Sequence, residues 1–128
     1  MNARYTLLIA GVSGAMAVGL GAFGAHALES MLMESGRLDT YETAVKYHYY
    51  HSLLLMMLGL LRLSHHSMPH LKTAIHCCMA GIIIFSGSLY ILCLTGSDWL
   101  GAVTPIGGLL LISSWLLTGV GAWKHFKE

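Results

Sequence analysis

A chain of 128 residues that is 55% hydrophobic and only 10% charged, with a mean hydropathy of +0.66, falls outside the soluble globular class, where about 25% of residues are charged. Its formal net charge of +1 and the lack of any basic stripe exclude nucleic acid as a partner and leave the lipid bilayer as the natural solvent.

Four segments, residues 5–28, 47–61, 73–97 and 99–123, contain no Asp, Glu, Lys or Arg. About 20 apolar residues cross a hydrocarbon core of about 30 Å, so the first, third and fourth qualify outright. The second is short, and gains length from residues 40–46, where the Lys46 stem can snorkel, and from Arg62 and Leu63. The expected fold is an all-α integral membrane protein, a single bundle of four transmembrane helices (about residues 5–27, 41–63, 73–95 and 99–123) with a short amphipathic outer segment between the first two. In that topology Arg4, Arg62, Lys72, Lys124 and Lys127 share one side and Arg37 and Lys46 the other. The positive-inside rule then puts both termini in the cytoplasm, and the expected location is the cell inner (plasma) membrane.

The first segment starts after Arg4 and ends at Ala25-His26-Ala27, which matches a small-x-small cleavage pattern, but its apolar run is too long and too rich in glycine for a signal peptide. Small residues recur at Gly11, Ala15 and Gly19 and again at Ala17, Gly21 and Ala25, with Gly24 between the last two. This four-residue spacing lets helices approach closely in lipid and predicts that the first helix is the centre of the bundle. Residues 29–46 hold most of the acidic groups. After a turn at Ser35-Gly36, Asp39 and Glu42 resemble a capping box, and Glu42 and Lys46 form an i,i+4 pair. The second helix enters through Tyr47-His48-Tyr49-Tyr50-His51, an interfacial girdle of amphipathic rings.

His65, His66 and His70 lie in the loop that follows; Pro69 breaks the helical spacing of the last two, so a solvated loop is expected rather than zinc ligation. Cys77, Cys78 and Cys93 sit on one helix and cannot pair with each other, which leaves them as small core residues. The third helix passes through Phe85-Ser86-Gly87-Ser88-Leu89-Tyr90, and the fourth, starting at Trp99, meets Thr104-Pro105-Ile106-Gly107-Gly108, where proline is expected to kink or loosen it.

Placed by depth, His26, the pair Tyr47 and His51 with His48 beside it, the run Ser86, Ser88 and Tyr90, and the Pro105, Gly107 and Gly108 disturbance all fall in one half of the membrane. Ionisable groups inside a span are costly and mark function, although a neutral histidine bonding across helices is also ordinary structural glue.

These motifs, Gly21-Ala22-Phe23-Gly24-Ala25-His26, Tyr47-x-x-x-His51, Phe85 to Tyr90 and Thr104 to Gly108, resemble in order and spacing the YgdD/YwdK-like family, the domain-of-unknown-function 423 proteins of the inner membrane. The resemblance covers nearly the whole chain and implies a four-helix membrane protein, but it brings no activity, substrate, cofactor or catalytic residue. His48, His65, His66 and His70 are outside its pattern.

Four functional classes compete. The leading one is a non-enzymatic accessory, assembly or structural component that packs against other membrane proteins or forms a homo-oligomer. The second is a site for haem, a metal ion, a quinone or a lipid built from His26, Tyr47, His48, His51, Ser86, Ser88 and Tyr90. A small transporter or proton path, requiring an oligomer, comes third. Catalysis comes last, because Ser86 and Ser88 have no orienting acid in any recognisable motif.

Overall fold

A computed structural model describes residues 2–126; Met1, Lys127 and Glu128 lie outside the described residues, and with them one basic residue of the tail counted above. Every element among the described residues is helical. The chain runs through α1 (Ala3–Ala25), α2 (Glu29–Glu34), α3 (Leu38–Ser64), α4 (Leu71–Thr95), a 3-10 turn (Asp98–Ala102) and α5 (Thr104–His125). Among the described residues three stretches are long and apolar enough to cross a membrane: Ala3–Ala25, Leu71–Thr95 and Asp98–His125.

Local chemistry sets the helix ends. Asn2 caps α1 by accepting from the Arg4 amide at 3.3 Å. The short α2 closes in a Schellman motif, with Arg37 N donating to the Leu32 carbonyl at 2.8 Å and Gly36 N to Met33 at 3.0 Å, around Gly36 at φ +66°. That motif, rather than an Asp39 capping box, starts α3: the helix begins at Leu38, no side chain caps it, and Asp39 lies inside its first turn. The Glu42–Lys46 pair forms at 3.2 Å.

Pro105 does not kink a helix. It occupies the first turn of α5, where its missing N–H has no intrahelical partner to lose, and residues 98–102 form the separate 3-10 turn instead of continuing a helix from Trp99. Arg37 fixes this region by donating to the Leu92 carbonyl near the end of α4 and pairing with Asp98 at 2.8 Å.

The principal helix contacts are α1 with α3, α3 with α4 and α4 with α5, an open row in which the two end helices share no comparable contact. The expectation of a central first helix is therefore corrected: α1 is an edge helix, 22% buried over its apolar window against 44% for α4. Only part of its small-residue surface meets a neighbour. A side-chain carbon at Gly24 would collide with the Tyr41 ring and one at Gly21 would press on Val45, whereas Gly11 and Gly19 have nothing within 4 Å.

Two apolar clusters divide the interior. One, around Leu54, Leu58, Leu71, Ile75 and Leu111, fills the end that carries the termini. The other, around Leu32, Tyr41, Ala44 and Leu89, fills the end under α2. Between them α3 presents His48, His51 and Ser52, all buried, so a polar layer separates two apolar ones.

Candidate functional site

That polar layer splits over two faces of α3. On the face toward α1 and α4, Ser13 contacts His48 Nε2 at 3.1 Å and the Ser52 hydroxyl at 2.6 Å, while His48 Nδ1 meets the Tyr90 hydroxyl at 3.3 Å. The proton positions follow from donor counting. Ser52 gives its one proton to the His48 carbonyl at 2.8 Å. Ser13 must then donate to Ser52, and His48 must donate to Ser13 through Nε2–H. In a neutral imidazole Nδ1 is then bare and accepts from Tyr90. The four side chains thus form one directed row from Tyr90 through His48 and Ser13 to Ser52. Tyr41 packs edge-on against Tyr90, ring centres 5.3 Å apart, and donates to the Leu20 carbonyl at 2.9 Å.

About 60° round the helix, toward α5, His51 donates through Nδ1 to the Tyr47 carbonyl at 2.7 Å and accepts the Trp115 indole N–H at Nε2, 3.2 Å away. A carbonyl only accepts and an indole only donates, so His51 is neutral and protonated at Nδ1, with both nitrogens engaged. Ligation of a metal or haem by His51 therefore requires Trp115 to be displaced. Tyr47 stacks on Phe85, ring centres 4.6 Å apart, and on His51 itself.

Ser86 and Ser88 serve separate contacts. Ser86 donates to the Ala44 carbonyl at 2.9 Å, and Ser88 bonds Thr104 at 2.7 Å where α4 meets α5. The backbone of Phe85 comes so close to Gly107 that no side chain fits there, and the Phe85 ring lies 3.6 Å from where one would start at Gly108. His26 stands apart from all of these: it is the exposed C-cap of α1. Ala15 borders a shallow recess between α1 and α3 beside Gly11.

The sequence-level site thus resolves into the His48 row, the His51–Trp115 bridge and the Ser88–Thr104 contact. Ser13, Ser52 and Trp115 join it unpredicted; only Ser52, one helical turn after His48, carried a spacing signal. Among the described residues no three His, Cys, Asp or Glu side chains gather as a metal site requires, and no buried side-chain polar atom lacks a partner.

Above the His48 row lies a groove of about 330 Å³ between α1 and α4, with α3 as its floor. Its walls are apolar, among them Val12, Met16, Ile82 and Ile83, and the buried Ser13, His48, Ser86 and Tyr90 lie behind them with almost no polar surface open to the groove.

Comparison with known proteins gives a consistent answer. Residues 20–108 match the family described as "Protein of unknown function (DUF423)". The chain is 41% identical to the UPF0382 membrane protein YwdK of Bacillus subtilis over 93% of this chain and 96% of that relative. It is 44% identical to a UPF0382 membrane protein of Staphylococcus haemolyticus over 85% and 87% of the two chains. With the UPF0382 inner membrane protein YgdD of Escherichia coli the identity is 34%, over 95% and 92%. No solved structure matches. With a family match that runs from the end of α1 into α5, and relatives aligned over nearly their whole lengths, the chain belongs to the DUF423 family of membrane proteins.

Proposed function

We propose that the chain is a four-span protein of the cell inner membrane with both termini in the cytoplasm, acting without catalysis as a component that packs against a second copy or another membrane protein. The fourth span is α3. Its 27 residues extend about 40 Å, and it lies between α1 and α4, two helices apolar enough to cross. Three of the polar residues that lower its hydropathy, His48, His51 and Ser52, are buried inside the row of helices, which is where polar side chains in spans belong.

The observation that carries the functional reading is the division of α1. Gly21 and Gly24 receive side chains of α3, whereas Gly11 and Gly19 have nothing within 4 Å and remain open to close approach by a further helix. Co-purification in mild detergent should recover a stoichiometric partner or a defined homo-oligomer, and Gly11→Leu with Gly19→Leu should dissolve it without unfolding the chain. Recovery of monomer alone, from native and from crosslinked membranes, would refute this reading.

A second reading, binding of a small ligand, is favoured by the groove between α1 and α4. Its volume of about 330 Å³ lies at the small end of ligand sites, about 300–1,000 Å³, and its walls are apolar as those of such sites mostly are. Mass spectrometry of the purified protein should find a molecule that is retained through delipidation; a chain that retains none would count against it.

A further inference from the structure

The row of helices gives α3 and α5 no seam of their own, because α4 stands between them as their common neighbour. Among the described residues two side-chain hydrogen bonds nevertheless join them, and both use a histidine. The first is the His51–Trp115 bridge at mid-length, where His51 is buried. The second lies at the end that carries the termini, where Nδ1 of His65, the C-cap of α3, is 3.3 Å from Nε2 of His125, the last residue of α5. Phe126 packs edge-on against both rings, its centre 4.9 Å from each. Unlike His51, these two rings are only half-buried and within reach of protons from solution.

An imidazole nitrogen either carries a proton and donates or offers a lone pair and accepts, so the contact needs one of the two facing nitrogens bare. A single added proton keeps it, because a charged ring still donates to a neutral one. With both rings charged, an N–H stands on each side of the gap and no acceptor is left. The surroundings offer that second charge no counter-ion. The other charged and titratable groups that α3, the following loop, α4 and α5 bring to this end are Arg62, His66, His70, Lys72, His76 and Lys124, and α1 adds Arg4, all of them basic. The carboxylates among the described residues, Glu29, Glu34, Asp39, Glu42 and Asp98, all lie at the α2 end. We infer that the His65–His125 contact is a pH-sensitive clasp between the ends of α3 and α5, closed while one ring is neutral and open when both are charged. The His51–Trp115 bridge, shielded at mid-length, is the fixed point about which the two ends part. In the proposed topology this end faces the cytoplasm, so cytoplasmic acidification is the signal that opens it.

The test measures the distance between spin labels at Ser64→Cys and Lys124→Cys, both exposed, by pulsed electron paramagnetic resonance on the full chain in phosphatidylcholine nanodiscs. Cys77→Ser removes the half-buried native thiol, and Cys78 and Cys93 are buried. Spectra are compared at about pH 8 and about pH 5, on either side of the range in which histidine changes charge. A single sharp distance at the higher pH should broaden and lengthen at the lower one. His125→Gln, whose amide can accept from a charged His65 or donate to a neutral one, should keep the sharp distance at both, and His125→Ala should be broad at both. A distance that does not respond to pH in the protein with His125 intact would overturn the clasp. So would a response that survives in His125→Gln, which would assign it to the other histidines of this end, or a sharp distance in His125→Ala, which would show that the contact holds nothing together.

Discussion

The two outer seams of the row are built on different principles. Where α4 meets α5, backbone approaches backbone at Gly107, which lies against the Phe85 main chain, while at Gly81 the Leu111 side chain fills the space; beyond the seam Gly121 of α5 lies against the Pro69 carbonyl of the loop before α4. Hydroxyl bonds from Ser88 to Thr104 and from Ser114 to the Ala74 carbonyl, at 2.7 and 2.8 Å, pin the seam at separate levels. Where α1 meets α3, side chains fill the gap instead. The Tyr41 ring occupies the space over Gly24, Leu7 that over Gly59, and the polar contacts concentrate in Ser13, His48 and Ser52. Where backbones touch, as at Gly107, there is no soft part that can yield, whereas side chains over a glycine can repack, and this difference sets what each position will tolerate.

The sharpest way to break the contrast is Gly107→Ala. The added methyl meets main-chain atoms of Phe85 that no rotamer change can move, so the loss should be about 1–3 kcal/mol in equilibrium unfolding from mixed micelles. Gly24→Ala, which meets only the Tyr41 ring, should cost less; equal losses would erase the distinction. A smaller effect sharpens the picture of the α1–α3 seam. Combining Ser13→Ala with His48→Ala in a double-mutant cycle should give a coupling of about 0.6 kcal/mol, the usual size of an interhelical hydrogen bond in lipid. The smallest effect belongs to the uncovered surface of α1: Gly11→Ala should change the stability of the isolated chain by less than about 0.5 kcal/mol. A larger loss in the monomer would mean that this surface is already packed.

Much of this organisation is legible in composition and spacing, and what is not has identifiable causes. The apolar runs outline α1, α4 and α5, because length and hydropathy are local properties. The place of α1 in the row is not local. Its glycines announce close packing but not which of them finds a partner, so Gly24 against Tyr41 and Gly11 against nothing look alike in one dimension. Pro105 misleads for a related reason: a proline inside an apolar run reads as a kink until Asp98–Ala102 is seen to form its own turn, which makes Pro105 a helix start. His48 is not among the motifs that carry the family resemblance in the sequence, yet it is the hub of the buried row, because Ser13 reaches it from 35 positions away.

The directed row has one more consequence, for proton movement. A Tyr, a His and two Ser in contact resemble a relay, but a relay needs a last member that can pass its proton on. Here the last proton, on Ser52, rests against the main-chain carbonyl of His48, the very residue through which the row has just passed. A carbonyl oxygen has no proton of its own to release, so the row folds back on itself and ends. In this arrangement the row fixes a set of aligned dipoles between two apolar layers.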